Sequence, residues 1–304
     1  MTSIMDRPVK APTFERLSLR RKLADKTATV LVTLSVVVAL VPLVWVLYSV
    51  ISKGIGIVTS GTWWMNSQAG MTAFAPGGGA YHAIVGTLLQ GVVCAVISIP
   101  IGVFVGIYLV EYGGATRLGK ITTFMVDILT GVPSIVAALF IYSLWVATLG
   151  FQRSGFAVSL ALVLLMIPVI VRSTEEMLRI VPMDLREASY ALGVPKWKTI
   201  ARIVIPTALS GIVTGIMLAL ARVMGETAPL LILVGYAQAI NFDMFAGFQG
   251  SLPGMMYDQV SAGAGANPVP TDRLWGAALT LILLVAVLNI GARYLAKFFA
   301  PKKV

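Results

Sequence analysis

The sequence predicts an all-α integral membrane protein with six transmembrane helices, and three observations carry that expectation. Of its 304 residues, 58% are hydrophobic and only 12% charged, whereas a soluble globular chain carries about 25% charged residues. The mean hydropathy is +0.89. The apolar residues are gathered into separated stretches, each long enough to cross a bilayer. One membrane-embedded domain accounts for this pattern better than the roughly two soluble domains that length alone would allow.

Seven Lys and Arg lie in the tail of residues 1–27, and Ala28 to Val50 then runs without a charge. That run exceeds a signal-peptide core of about 7–15 apolar residues and is expected to stay as the first span. Further spans run from about Ala83 to Val110, Phe124 to Leu149, Phe156 to Val171, Ala208 to Gly235 and Trp275 to Ala292. The six-helix membrane domain is thus 28–298, with a cytoplasmic segment at 173–206 and a short tail at 299–304. Six spans place both termini on one side, where 19 Lys and Arg fall against three, Lys53, Arg153 and Arg273, on the other. Basic residues are retained on the cytoplasmic side, so both termini are expected in the cytoplasm. The net charge of +10 would suggest a nucleic-acid partner in a soluble protein; here it flanks spans, and membrane lipid is the expected surround.

The outer loops hold Trp63, Trp64 and the Gly77-Gly78-Gly79 run. The two tryptophans fit an interfacial aromatic belt better than contact with a soluble partner. Within the spans, Gly102 and Gly106, like Gly211 and Gly215, have the spacing that lets helices approach closely. Gly114 to Ile121 matches a phosphate-loop pattern except at its last position, where Ile121 replaces the Ser or Thr that would bind Mg²⁺; no nucleotide site is expected there. Cys94 is the sole cysteine and reads as packing, and His82, the sole histidine, reads as interfacial. Neither a histidine-based catalytic triad nor a Cys/His metal cluster can be built from one of each.

Between the fourth and fifth spans the periodicity is helical. Leu185, Ala188 and Leu192 share one face, Gly193 suits a helix stop and Pro195 a restart, and Trp197, Ile200 and Val204 align beyond it. The resulting helix-turn-helix either presents a knob to a cytoplasmic protein or lies on anionic lipid. Glu187-Ala188-Ser189, three intervening residues, Gly193, nine intervening residues and then Ile203-Val204-Ile205-Pro206 resembles the EAA loop of ABC importer permeases. Ser189 stands for the second Ala and Ile205 for a Leu. The resemblance implies a type I importer permease fold in which Glu187, Ala188, Ser189, Gly193, Ile203 and Pro206 form the element coupled to an ATPase subunit.

Gly86-Thr87-Leu88, Pro100-Ile101-Gly102, Ile107 to Tyr112, Leu129 to Val136 and Arg222 to Pro229 are similar to permeases of the phosphate-specific ABC transporter, nearer its A-type than its C-type subunit. The resemblance implies a bacterial cytoplasmic-membrane transport subunit, not an enzyme. Its expected partners are a second, C-type permease, a dimer of ATP-binding subunits that uses ATP and Mg, and an extracytoplasmic phosphate-binding protein; no cofactor is expected on this chain. Permeases for sulfate or molybdate, or an ion-coupled secondary transporter, are the alternatives.

Arg222 and Glu226 lie inside the fifth span, four residues apart and so on one face of a continuous helix. From Pro206, a rise of 1.5 Å per residue puts Arg222 about 24 Å along it. A charge at the membrane centre costs at least about 2.5 kcal/mol and so faces protein or water. The pair either lines the translocation pathway or neutralises itself for packing. Pro229 is expected to bend the helix beside it, and a guanidinium suits phosphate through two parallel hydrogen bonds. Asp127, nearer the inner end of the third span, is a lesser candidate.

Overall fold

The computed structural model describes residues 18–299, with side chains as far as Tyr294. Arg7, Lys10, Arg16, Lys302 and Lys303 of the expected basic tails lie outside the described residues. In chain order the helices are α1 Leu19–Val58, α2 Gly61–Met65, α3 Tyr81–Tyr108, α4 Arg117–Thr130, α5 Ser134–Ile141 and α6 Gly155–Ile180. They continue with α7 Met183–Ala191, α8 Lys196–Thr199, α9 Ile205–Met224, α10 Ala228–Leu233, α11 Leu252–Ser261 and α12 Pro268–Phe299. Three wider, π-helical turns are inserted: Leu109–Gly113 after α3, Tyr142–Thr148 after α5 and Ile200–Val204 before α9. Among the described residues five helices are long and apolar enough to span a membrane, and six if one bent pair counts as a single span.

Two compact units divide the chain between Ser49 and Val50. The first contributes Leu19 to Ser49 of α1, whose charged first turns, with Arg20, Arg21, Lys22, Asp25 and Lys26, precede the expected start of the span at Ala28. The second unit is organised on α6, the most buried span. Glycine explains how closely its neighbours approach. A Cβ on Gly102 would stand 2.7 Å from Ile170, and one on Gly106 2.8 Å from Thr174. On the α9 side, a Cβ on Gly211 would meet Met177 at 2.2 Å and one on Gly215 would meet Ser173 at 2.4 Å. Both small-residue pairs therefore seat α6 between α3 and α9, since only hydrogen at those positions lets the backbones come so near. Cys94, fully buried beside Met166, is part of this core.

Several expectations need correction. The third span is broken: α4 and the helix from Ser134 to Thr148 meet at 106°. Pro133 starts α5, cannot donate a backbone hydrogen bond, and disfavours helix at Val132 before it. The fourth span does not end at Val171; α6 continues to Ile180, so residues 173–180 of the expected coupling segment extend a membrane helix. The fifth span is also broken, because α9 ends at Met224 and α10 begins at Ala228 with Pro229 in its first turn. Trp63 is 2% exposed and its indole donates to Thr280 Oγ1 at 2.8 Å, so it is core and not belt. His82 is likewise buried, at 2.8 Å from the Tyr236 hydroxyl. Hydropathy alone does not separate a protein-facing aromatic from a lipid-facing one.

Candidate functional site

Helix α7 starts after Pro182, whose missing N–H is no loss at a helix start. It stops at a Gly-dependent cap: Gly193 has φ 74° and donates to Tyr190 O at 2.9 Å, and Val194 N donates to Ser189 O at 3.2 Å. Met183, Leu185, Glu187, Ala188 and Leu192 are exposed, so the apolar stripe read from the sequence faces outward. The inward side is polar. Ser189 is 3% exposed and its hydroxyl lies 2.8 Å from Thr199 Oγ1, joining α7 to α8. Glu187 and Ala188 are therefore presented outward, while Ser189 holds the element together. Ile203 is half-buried in the π-helical turn and Pro206 sits in the first turn of α9. Trp197 is 65% exposed whereas Ile200 and Val204 are buried, so the second expected face splits as the turn widens.

Sequence reasoning missed the residue that seats α7. Arg186 is 6% exposed. Its guanidinium donates to Val181 O at 2.7 Å and Leu178 O at 3.0 Å, and pairs with Glu111 Oε1 at 3.0 Å. The first two acceptors are carbonyls at the open C-terminal end of α6, where a cation also meets the negative end of the helix dipole. Glu111 lies in the π-helical turn after α3, and Lys196 donates to its carbonyl while resting over the Tyr112 ring. The available signal was an arginine out of phase with the exposed stripe, beside an acid at the end of a span.

The Arg222 and Glu226 expectation changes more. With the helix interrupted at Gly225–Thr227, the two are no longer on one helical face, and neither side chain makes an ion pair or hydrogen bond to a described residue. Arg222 occupies the last turn of α9 and is exposed. Thr207, Ser210, Thr214, Leu218 and Arg222 are all exposed and, spaced by three or four residues, form one face of α9. Thr207 and Thr214 satisfy their hydroxyls on carbonyls one turn back and Leu218 is apolar, so it is the cation at the end of this face, Arg222, that lipid would leave poorly solvated and that suits protein or water. The exposed face of α3, with Val92, Val96, Ile101 and Phe104, is apolar by contrast. Glu226 is half-buried and borders a cavity of about 10 Å³ with Thr87, Gln90 and Ser251. Asp127 is exposed and pairs with Arg172, which also bonds Glu175 at 2.7 Å; it belongs to a charged network and not to the α9 stripe. Among the described residues no cluster of His, Cys, Asp and Glu could hold a metal ion.

Against known proteins, the family profile described as "Binding-protein-dependent transport system inner membrane component" matches residues 98–304. The phosphate transport system permease protein PstA 1 of Mycobacterium tuberculosis (strain ATCC 25618 / H37Rv) is 54% identical over 301 residues, 98% of this chain and 96% of the relative. The permease protein PstA of Mycobacterium leprae is 54% identical over 302 residues, covering 98% and 97%. A solved chain of a bacterial alginate ABC transporter, in complex with its pentasaccharide-bound periplasmic protein, superposes with TM-score 0.61 at 11% identity. The match covers 94% of this chain and 99% of that one, a likeness of fold alone.

Proposed function

We propose that this chain, which belongs to the binding-protein-dependent transport system inner membrane component family, is the permease subunit of an ATP-driven importer that carries inorganic phosphate. The observation that carries this is 54% identity to phosphate permeases along nearly the whole chain. The chain is a multi-pass inner-membrane transport component and not an enzyme, and its family implies ATPase and substrate-binding partners. The finer assignment is a dimer of ATP-binding subunits consuming ATP and Mg, a second, C-type permease, and an extracytoplasmic phosphate-binding protein. Both termini face the cytoplasm in this assignment, in agreement with the bias of basic residues.

Glu187 and Ala188 on the outward side of α7 dock the ATPase, supported by Ser189, Gly193, Ile203 and Pro206. Arg222 ends the exposed face of α9 and meets phosphate there. An unpaired guanidinium offers an oxyanion two parallel hydrogen bonds at any physiological pH. A lone cation attracts the anion without trapping it. Glu226, half-buried at the helix break, limits how far the positive potential extends.

Uptake of labelled phosphate by the full importer in proteoliposomes tests the assignment. ATP-dependent uptake that excess sulfate and molybdate leave unchanged is expected, and Arg222→Gln should lower it at least tenfold with the complex still assembled. Uptake without ATP would indicate a secondary transporter. Preferential uptake of sulfate or molybdate would move the chain to another oxyanion importer. Normal uptake by Arg222→Gln would remove Arg222 from the pathway.

A further inference from the structure

We propose that Arg186 and Glu111 form the joint that makes α7 and the end of α3 move as one body, so that a displacement of α7 by its ATPase partner reaches the membrane core. Arg186 is thereby a positioning residue for transport; this rests on the importer assignment above. Three observations converge. The ion pair is almost fully buried, with side chains 8% and 6% exposed, so water neither screens nor replaces it. The same guanidinium holds Leu178 O and Val181 O, which fixes α7 to the end of α6. Lys196 closes the opposite side by donating to the Glu111 carbonyl.

The contrast between this joint and its surroundings gives it a direction. The chain departs from α-helical geometry at Leu109–Gly113, which contains Glu111, and at Ile200–Val204, which leads into α9. Wider turns of this kind are rare and occur frequently at functional sites. Helix α7 is thus clamped to one π-helical turn and followed by another. A push on the exposed Glu187 and Ala188 side cannot roll α7 freely, because the guanidinium plane is held on three acceptors. The push is carried to the turn after α3, and α3 packs on α6 through Gly102 and Gly106 with no slack to absorb it.

The test uses the whole importer. Spin labels go at Ala115, just beyond the turn that holds Glu111, and at Asp184 on α7, both exposed. In the native background the distance between them should stay unchanged between the nucleotide-free and the ATP-trapped complex. In Glu111→Gln, which keeps size but removes the charge, the distance distribution should broaden, and phosphate carried per ATP should fall about tenfold. Crosslinking of α7 to the ATPase should be unaffected.

A label distance that changes with nucleotide in the native background overturns the joint. So does an unaltered distance and unaltered phosphate-per-ATP ratio in Glu111→Gln. Loss of docking in step with loss of uptake also overturns it, because the pair would then only shape the docking helix. A native complex that hydrolyses ATP without carrying phosphate overturns the assignment of substrate and not the joint, which the label distances judge without any substrate.

Discussion

On the α7 side of the membrane domain elements are tied by charge, Arg172 of α6 to Asp127 of α4 and Arg186 of α7 to Glu111, while Glu175 pairs with Arg172 and Arg179 within α6. At the far end the ties are neutral. Gln90 Nε2 donates to Gln249 Oε1 at 2.9 Å, Trp63 to Thr280 at 2.8 Å, and Leu252 N to Thr87 Oγ1 at 2.8 Å. A buried cation there, Arg273, is held by the carbonyls of Ala73, Ala75 and Gly77 and, among the described residues, by no acid in hydrogen-bond reach. Neutral partners hold a fixed geometry with a modest loss when one is removed. Charged partners are each expensive to strand, so a buried ion pair links the positions of the elements that bear it. The far end is built to stay; the α7 end is built so that moving one helix obliges another to follow.

The largest expected effect breaks that link. Arg186→Met leaves the Glu111 carboxylate buried without its partner and the Leu178 and Val181 carbonyls without their donor. Removal of one member of a buried ion pair costs about 3–5 kcal/mol, read as a lowered Tm of the purified complex. Adding Glu111→Leu should return most of the stability, because apolar replacement of both partners is often neutral. It should not return phosphate uptake per ATP. Recovery of both would reduce the joint to packing.

Comparing the ends also explains what the sequence discloses. Spans are legible because about 20 apolar residues have few alternatives to crossing a bilayer. Gly131-Val132-Pro133 and Gly225 to Pro229 are visible as punctuation, yet a sequence does not give the angle of a break, so Arg222 and Glu226 read as one face of a helix that in fact ends between them. Helix α7 presents its apolar stripe outward, as a knob offered to a partner would, with Leu185 and Leu192 exposed. The sequence does not disclose its inward side, where Arg186 satisfies carbonyls at the end of α6 and Ser189 meets Thr199. Trp63 and His82 could have faced lipid or protein, and only their distant partners, Thr280 and Tyr236, decide it. The EAA-like spacing was legible; the clamp behind it joins residues 75 apart in sequence.

A middle-sized effect belongs to the far end. Gln249→Leu removes the acceptor of Gln90, which is buried, and the donor to Asn241 O, which is partly buried. Stranding neutral groups costs about 1–3 kcal/mol, again read as Tm. The double replacement Gln90→Leu with Gln249→Leu should cost less than the single one. Phosphate carried per ATP should stay native in both, in contrast to the Arg186 series; a fall in that ratio would mean the far end also carries motion.

The smallest effect concerns Asp258 in α11, beside Gln259. Burial raises its pKa above the ordinary carboxylate value, and hydrogen bonds from Gln259 and Gln238 with the charge of Arg273 pull it part of the way back. A folded-state pKa above the unfolded one means that protonation favours the fold. The contribution is fully present below the unfolded value, near pH 3.8, and is lost as pH rises through the higher folded value. Asp258→Asn keeps an oxygen to accept from Gln259 Nε2, which lies 2.9 Å from the native carboxylate, and removes the charge that burial penalises. The Tm of the variant should therefore exceed the native Tm slightly at pH 7, and the gap should close toward pH 4. A gap that is constant with pH would assign the effect to packing. A variant less stable at pH 7 would mean that attraction to Arg273 outweighs burial, and the far end would then hold a charge interaction of the kind concentrated beside α7.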